Sequence, residues 1–199
     1  MIKLFLSAFA LSFMFYSDQP KTPSPSAKET ILIAFGDESP SYWSVVNDGV
    51  MGGLSSSIIR MSDEGHAVFE GNVSLENNGG FASVRTRASA AVDLSGFDGF
   101  TLRASGDDKL YSIRIKTVHN GRLTAYAWEA TFRAESDWET HQFRAEDFKP
   151  VFRGRDLSDT PPLNLSAVGE IGIMIKDAQE GAFTLNMEHI GVFRTQVES

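Results

Sequence analysis

The chain has 199 residues, 42% hydrophobic and 22% charged, with 15 Phe and 17 Gly. That length supports one substantial core, and the Phe and Gly content favours a sheet-rich domain with many turns over a disordered chain. A net charge of −8 repels phosphate and argues against nucleic-acid binding, and the absence of cysteine excludes disulfides, thiolate zinc sites and a cysteine nucleophile.

Met1-Ile-Lys3 followed by the apolar stretch Leu4 to Tyr16 has the form of a secretory signal, with an apolar run of the roughly 7–15 residues such signals use. No small-residue cleavage site is well placed. Residues 1–17 are therefore expected as a signal peptide or an uncleaved anchor, and the protein as exported, periplasmic or envelope-associated, meeting a membrane only through that segment. Residues 18–30 are proline-rich and nearly free of apolar side chains, so they read as a tether, with the folded domain over 31–195.

Ile31 to Phe35 opens a series of short apolar runs separated by turn residues, the pattern of antiparallel sheets. Trp43 to Ser57 then sets Gly49, Gly52 and Gly53 around Asp48 and Met51. A sharp turn at Gly52-Gly53 is expected to hold Asn47, Asp48 and Met51 in a fixed place. Val68 to Leu75 alternates as a strand, Asn78-Gly79 reads as a hairpin turn, and the next strand carries Phe81, Ser83, Arg85 and Arg87 on one face, opposite Ala82, Val84 and Thr86.

Phe100 to Ala104 forms a further strand and Gly106 to Lys109 a turn. Tyr111, Ile113 and Ile115 then oppose Ser112, Arg114 and Lys116. Asn120-Gly121 is a second hairpin signal, leading to Thr124 to Phe132, with Tyr126, Trp128, Ala130 and Phe132 on one face and the strand as neighbour to the one before it. Trp138 to Phe143 is a strand, Ala145 to Phe148 a helical turn, and Val151 to Leu165 a long surface loop. Strands at Ile171 to Ile175, Phe183 to Met187 and Ile190 to Phe193 close the chain. The total of roughly ten or eleven strands, with no long amphipathic helix, predicts an all-β sandwich or barrel.

The chain holds neither a phosphate-binding glycine loop nor a nucleophile elbow, and its histidines lack metal-ligand spacing. Glu129, Asp137 and Glu139 lie near aromatics, as a glycosidase pair would, yet read better as solvated surface. Arg85, Arg87, Arg103, Arg114 and Lys116 form a basic stripe whose neighbouring aromatics face the core, where no base can stack. Tyr42, Trp43, Trp128 and Trp138 are candidates for a carbohydrate platform, or equally for core residues. Calcium is compatible with oxygen ligands near Asp48 or Asp107, although no cofactor or metal is expected.

The candidate binding patch is Asn47, Asp48 and Met51 from the glycine-rich turn, Arg85 from the following strand, and Asp107, Tyr111 and Arg114 from the next pair. Arg85 or Arg114 is expected to pair with Asp48 or Asp107 by charge-assisted hydrogen bonds. The alternative is that these pairs only staple turns to the sheet.

The run Asp48 to Ser55, the segment Asn78-Gly-Gly-Phe-Ala-Ser-Val-Arg85, Gly106-Asp107 with Tyr111, Trp138, Phe148 to Gly154, Gly172 and Gly181-Ala-Phe183 together resemble the complex I intermediate-associated protein 30 family, from about Phe35 to Phe193. The resemblance implies a galactose-binding-like jelly-roll sandwich that binds rather than catalyses. It further implies an assembly or scaffolding role with a protein partner, respiratory-complex subunits among the candidates. A carbohydrate-binding module of the envelope is the competing expectation.

Overall fold

The alternation of apolar and polar residues yields fourteen strands among the residues described by the computed structural model, 27–36, 43–86 and 90–196. In chain order these begin with β1 (Ala27–Ala34), β2 (Trp43–Val45), β3 (Ser56–Met61), β4 (Ala67–Val73), β5 (Ala82–Thr86), β6 (Gly99–Gly106) and β7 (Lys109–His119). They continue with β8 (Arg122–Leu123), β9 (Ala127–Ala134), β10 (Glu139–Arg144), β11 (Lys149–Phe152), β12 (Arg155–Asp156), β13 (Val168–Ile175) and β14 (Gly181–Thr195).

Two antiparallel sheets result. The six-stranded sheet has the order β10-β6-β14-β4-β3, with β1 also paired to β14, and the eight-stranded sheet has the order β12-β11-β9-β7-β13-β5-β2, with β8 on the end of β7. The 15-residue β14 is the spine of the first sheet, because its first half pairs with β4, its second half with β1, and its other edge with β6. The architecture is an all-β, two-sheet sandwich.

Period-two alternation decides what is buried between the layers. Tyr111, Ile113 and Ile115 from β7 and Ile173 and Ile175 from β13 point inward and carry no exposed surface, opposite Phe69, Phe100, Leu102, Leu185, Met187 and Ile190 of the other sheet. Tyr111 and Phe183 meet across the layers with ring centroids 6.4 Å apart, and Phe69 meets Phe183 edge-on at 4.9 Å. Each such buried side chain contributes about 1.5–3 kcal/mol through the apolar surface it removes from water.

Several expectations need correction. Asn78-Gly79 does not join a hairpin, because β4 lies in the six-stranded sheet and β5 in the eight-stranded one; the segment crosses between layers through a 3-10 turn at Glu76–Asn78. Residues 27–30, at the end of the stretch expected as a tether, belong to β1 and pair with the end of β14 despite their polar composition. β11 and β12 occupy part of the stretch expected as a loop, joined by a tight turn in which Arg153 and Gly154 both have positive φ, 50° and 74°. Asn120-Gly121 does close a hairpin, with His119 opposite Arg122, and β7 and β9 are neighbours. Residues 1–17 and most of 18–30, and with them the expected signal or anchor, lie outside the described residues.

Candidate functional site

The turn expected to organise a patch is a 3-10 turn, Asp48–Met51, ended by Gly52 at φ 92°. The Asp48 carboxylate is fully buried and accepts hydrogen bonds from Ser55 N (3.0 Å), Gly80 N (2.7 Å), Phe81 N (3.3 Å) and the Ser55 hydroxyl. Burial pushes this carboxyl up, but the Ser55, Gly80 and Phe81 hydrogen bonds together outweigh burial and hold it below the usual carboxylate range. The glycines beside it make room: a Cβ on Gly53 would lie 2.4 Å from Asp48 Cγ, and one on Gly79 would lie 2.7 Å from Asp48 Oδ2.

Asn47 Oδ1 accepts from Ser57 Oγ at 2.8 Å and from Ser83 N at 3.4 Å. Asn47 and Asp48 therefore tie β3 of one sheet to β5 and its approach in the other. With its polar groups turned inward, the turn presents Val50, 75% exposed, and Met51, 61% exposed, to solvent.

Met51 stands at the edge of an open cleft of about 820 Å³ on the outer face of the eight-stranded sheet. The strand register builds its floor. Arg85 on β5 lies opposite Gly172 on β13, Gly172 opposite Arg114 on β7, and Arg114 opposite Glu129 on β9, in one row across the sheet. In the next row, Lys116 faces Glu170. Met51, Leu75 and Phe81 form the wall beyond β5, and Phe152 and Arg153 form the wall on the β11 side.

Glu129 is the counter-charge beneath this floor. Its side chain is 6% exposed, with Lys176 Nζ 2.7 Å from Oε1 and Arg114 Nη1 3.4 Å from Oε2; Oε2 receives no hydrogen bond. Arg114 Nη1 instead donates to the Met174 thioether at 2.8 Å. Arg85 Nη1 lies 3.8 Å from Glu170 Oε1. Burial, reinforced by the nearby Arg85 charge, holds the Arg114 guanidinium below its ordinary range against Glu129 and Glu170. The Lys116 ammonium is lowered by burial first, and then by Arg85 and Arg114, with Glu170 opposing.

The structure thus brings Met51, Arg85 and Arg114 to one cleft, sets half-buried Asn47 and buried Asp48 behind its wall, and sets Asp107 and Tyr111 apart. Tyr111 is a core residue whose hydroxyl donates to Asp107 Oδ1 at 2.9 Å, and Asp107 Oδ2 also meets Lys109 Nζ at 2.9 Å and Thr184 N at 3.0 Å. Burial, and then Asp107, raises the Tyr111 phenol far above its ordinary value. The expected pairing of Arg85 or Arg114 with Asp48 or Asp107 is corrected, because Asp48 is consumed by backbone donors and the Ser55 hydroxyl, and Asp107 by Lys109 and Tyr111 of β7 and Thr184 of β14.

The basic stripe is shorter than expected. Arg103 lies on the other sheet, with Glu188 at 2.7 Å and its guanidinium over Trp138 at 5.9 Å, and Arg87 lies outside the described residues. The carbohydrate platform is absent in the form expected: Trp43 and Trp128 are core residues, Trp138 packs on His66, and Tyr42 lies outside the described residues. Among the described residues no group of three or more His, Asp or Glu side chains is gathered to hold a metal ion. Sequence reasoning missed Glu170, Gly172, Met174 and Lys176. Their signal was present, since they alternate with Ile171, Ile173 and Ile175 and so had to share the outer face.

A family model described as complex I intermediate-associated protein 30 matches residues 33–187. A protein of Caenorhabditis elegans named "Probable complex I intermediate-associated protein 30, mitochondrial" is 27% identical over 168 residues, which cover 73% of this chain and 48% of that protein. The mouse complex I intermediate-associated protein 30, mitochondrial, is 24% identical over 169 residues, covering 76% of this chain and 52% of its own. The chain spans about half the length of these relatives. An uncharacterized protein of Schizosaccharomyces pombe is 28% identical, and there the match covers 80% of this chain and 83% of the other.

Among solved structures, a family 11 carbohydrate-binding module of a cellulosomal cellulase of Clostridium thermocellum superposes with a TM-score of 0.64 at 18% identity, covering 87% of this chain and 98% of that one. The same family's module in complex with a β-1,3-1,4-mixed-linked tetrasaccharide gives 0.63 at 17% identity, covering 85% and 98%. The fold is therefore a jelly-roll sandwich like that of these carbohydrate-binding modules. The expected periplasmic or envelope location is overturned, because the named relatives from two nematodes and mouse are mitochondrial. A short apolar run behind a single lysine reports hydrophobicity, which does not by itself say which membrane the chain meets.

Proposed function

The chain belongs to the complex I intermediate-associated protein 30 family, and on that footing we propose that it is a non-catalytic module that binds a saccharide along the outer face of its eight-stranded sheet. The observation that carries this reading is the cleft. At about 820 Å³ it has the size of a site for a small ligand, and it combines a floor of polar side chains with walls that present Phe81, Phe152, Met51 and Leu75. A sugar chain offers the matching surface, hydroxyls for the floor and C–H faces for the walls. The complex of a fold neighbour with a tetrasaccharide supports the same reading.

The test is affinity electrophoresis of the full chain through gels containing soluble polysaccharides, followed by amide shift mapping with the oligosaccharide that retards it. Shifts on β5, β7 and β13 are expected. Retardation by no polysaccharide, or shifts confined to the six-stranded sheet, would exclude the reading.

A second reading, protein assembly, is favoured by Val50, Met51 and Leu54, three apolar side chains that stand more than half exposed around one turn. The names of the relatives point the same way, with respiratory-complex subunits as the partners to test. Co-purification of such subunits that Met51→Asp abolishes supports this reading, and co-purification that survives the change removes the turn from it.

A further inference from the structure

The cleft concentrates positive charge on a chain whose net charge is −8. Arg85, Arg114, Lys116, Lys176 and Arg153 line it, and they outnumber the carboxylates available to them, Glu129 beneath the floor and Glu170 and Asp177 at its surface. The pairing is also poor. No side-chain nitrogen of Arg85, Arg114 or Lys116 donates a hydrogen bond to an oxygen of another described residue; the carboxylate contacts of the two arginines are 3.8 and 3.4 Å long, and Lys116 has no ion pair within 4.0 Å among the described residues. Burial first, and the neighbouring cations after it, hold both the Arg114 and Lys116 groups below their ordinary ranges, against the pull of Glu129 and Glu170.

Between the two arginines the floor drops. Gly172 sits directly opposite both, and a Cβ there would lie 3.1 Å from Val84 O, 3.5 Å from Arg85 Cβ and 3.9 Å from Arg114 Cβ. The row therefore contains a notch flanked by two guanidinium groups that make no hydrogen bond to a carboxylate among the described residues, with Lys116 in the adjacent row. Guanidinium groups flanking a gap match an oxyanion, which accepts from each side at once.

The inference rests on the saccharide-binding reading above and narrows its ligand. We propose that the cleft selects a saccharide that carries an oxyanion, a uronate carboxylate or a sulfate ester, and that this anion sits over Gly172 between Arg85 and Arg114. Neutral stretches of the same sugar chain run on towards the apolar walls, so the charged group sets register while the rest supplies contact area.

The experiment titrates the isotopically labelled full chain with a neutral mixed-linked β-glucan tetrasaccharide, an oligouronate of equal length and a sulfated oligosaccharide of equal length. At low salt one acidic ligand is expected to bind at least about tenfold more tightly than the neutral one, with the largest amide shifts at Arg85, Gly172 and Lys116. Tighter binding of the oligouronate identifies the carboxylate, and of the sulfated chain the sulfate ester. The preference is expected to collapse in about 0.5 M salt. Lys116→Gln, which breaks no ion pair among the described residues, is expected to lower the acidic-to-neutral ratio by about threefold or more, whereas Arg103→Gln on the opposite sheet leaves it unchanged. Equal or tighter binding of the neutral tetrasaccharide in the cleft, or a preference insensitive to both salt and Lys116→Gln, overturns the oxyanion and leaves the saccharide reading standing. Binding of none of the three overturns both.

Discussion

Replacing Asp48 by alanine removes the acceptor for three backbone N–H groups and one hydroxyl at a stroke. Ser55 N is buried and loses its partner outright, whereas Gly80 N and Phe81 N are half-buried, so water repairs part of their loss. The Ser55 hydroxyl retains Ser74, whose N–H donates to it at 3.0 Å. At 1–3 kcal/mol for each orphaned buried donor, discounted for the two wetter ones, the total is about 4 kcal/mol. For a domain of this size that corresponds to a fall in Tm of roughly 10 °C. Urea unfolding followed by tryptophan fluorescence measures the loss, and a loss below about 1 kcal/mol would refute the claim that this carboxylate staples the two sheets. A pH arm separates charge from shape. Because the folded carboxyl lies below its ordinary range, its contribution is present above the unfolded value and lost as pH falls through the folded one. The stability gap between wild type and Asp48→Asn must therefore narrow on acidification below the ordinary aspartate range, and a constant gap contradicts the assignment.

Gly53→Ala places a methyl 2.4 Å from Asp48 Cγ and should displace the same carboxylate, so its Tm loss should approach that of Asp48→Ala, with the double variant well short of additive. Glu129→Gln strips the shared counter-charge from Arg114 and Lys176 and should cost about 3 kcal/mol in urea unfolding; an unchanged midpoint would mean that the cations are already hydrated. Burial holds the His141 imidazole below its ordinary value, against Glu139 and Glu135, so its contribution is present above pH 6.5 and declines as pH falls towards the folded value. His141→Phe should flatten the dependence of the urea midpoint on pH just below 6.5, and parallel curves for the two proteins would exclude that role.

The inward faces of β5, β7 and β9 were legible because period-two alternation depends only on local sequence. Ala82 and Val84, then Tyr111, Ile113 and Ile115, then Trp128, Ala130 and Phe132, all fall inside as their spacing requires. Sheet membership was not legible. Asn78-Gly79 has hairpin composition, but β4 finds β3 and β14 as partners, and the choice between closing a hairpin and crossing the sandwich rests on contacts far away in sequence. β3 passed unnoticed because Ser56 to Met61 shows only Ile58, Ile59 and Met61 as apolar residues, and as an edge strand it buries little. β11 was obscured by Pro150, which withdraws a donor from a strand of only four residues.

The cleft shows the same division at the scale of a site. Arg85 and Arg114 were recognisable one at a time, as cations at outward strand positions, and the nearest sequence candidates for their partners were Asp48 and Asp107. The partners they have, Glu170 and Glu129, are supplied by the order β5-β13-β7-β9, which no local pattern encodes. Gly172 has no side chain to attract notice, and its part emerges only when an arginine stands on either side of it. Yet its position follows from the core. Ile171, Ile173 and Ile175 must face inward, which sends Glu170, Gly172 and Met174 outward, and a slip of β13 by one residue would place an isoleucine in the notch and a glycine in the core. The burial of three isoleucines therefore keeps the floor open between the arginines, so selection for a well-packed sandwich and selection for this cleft act on the same register.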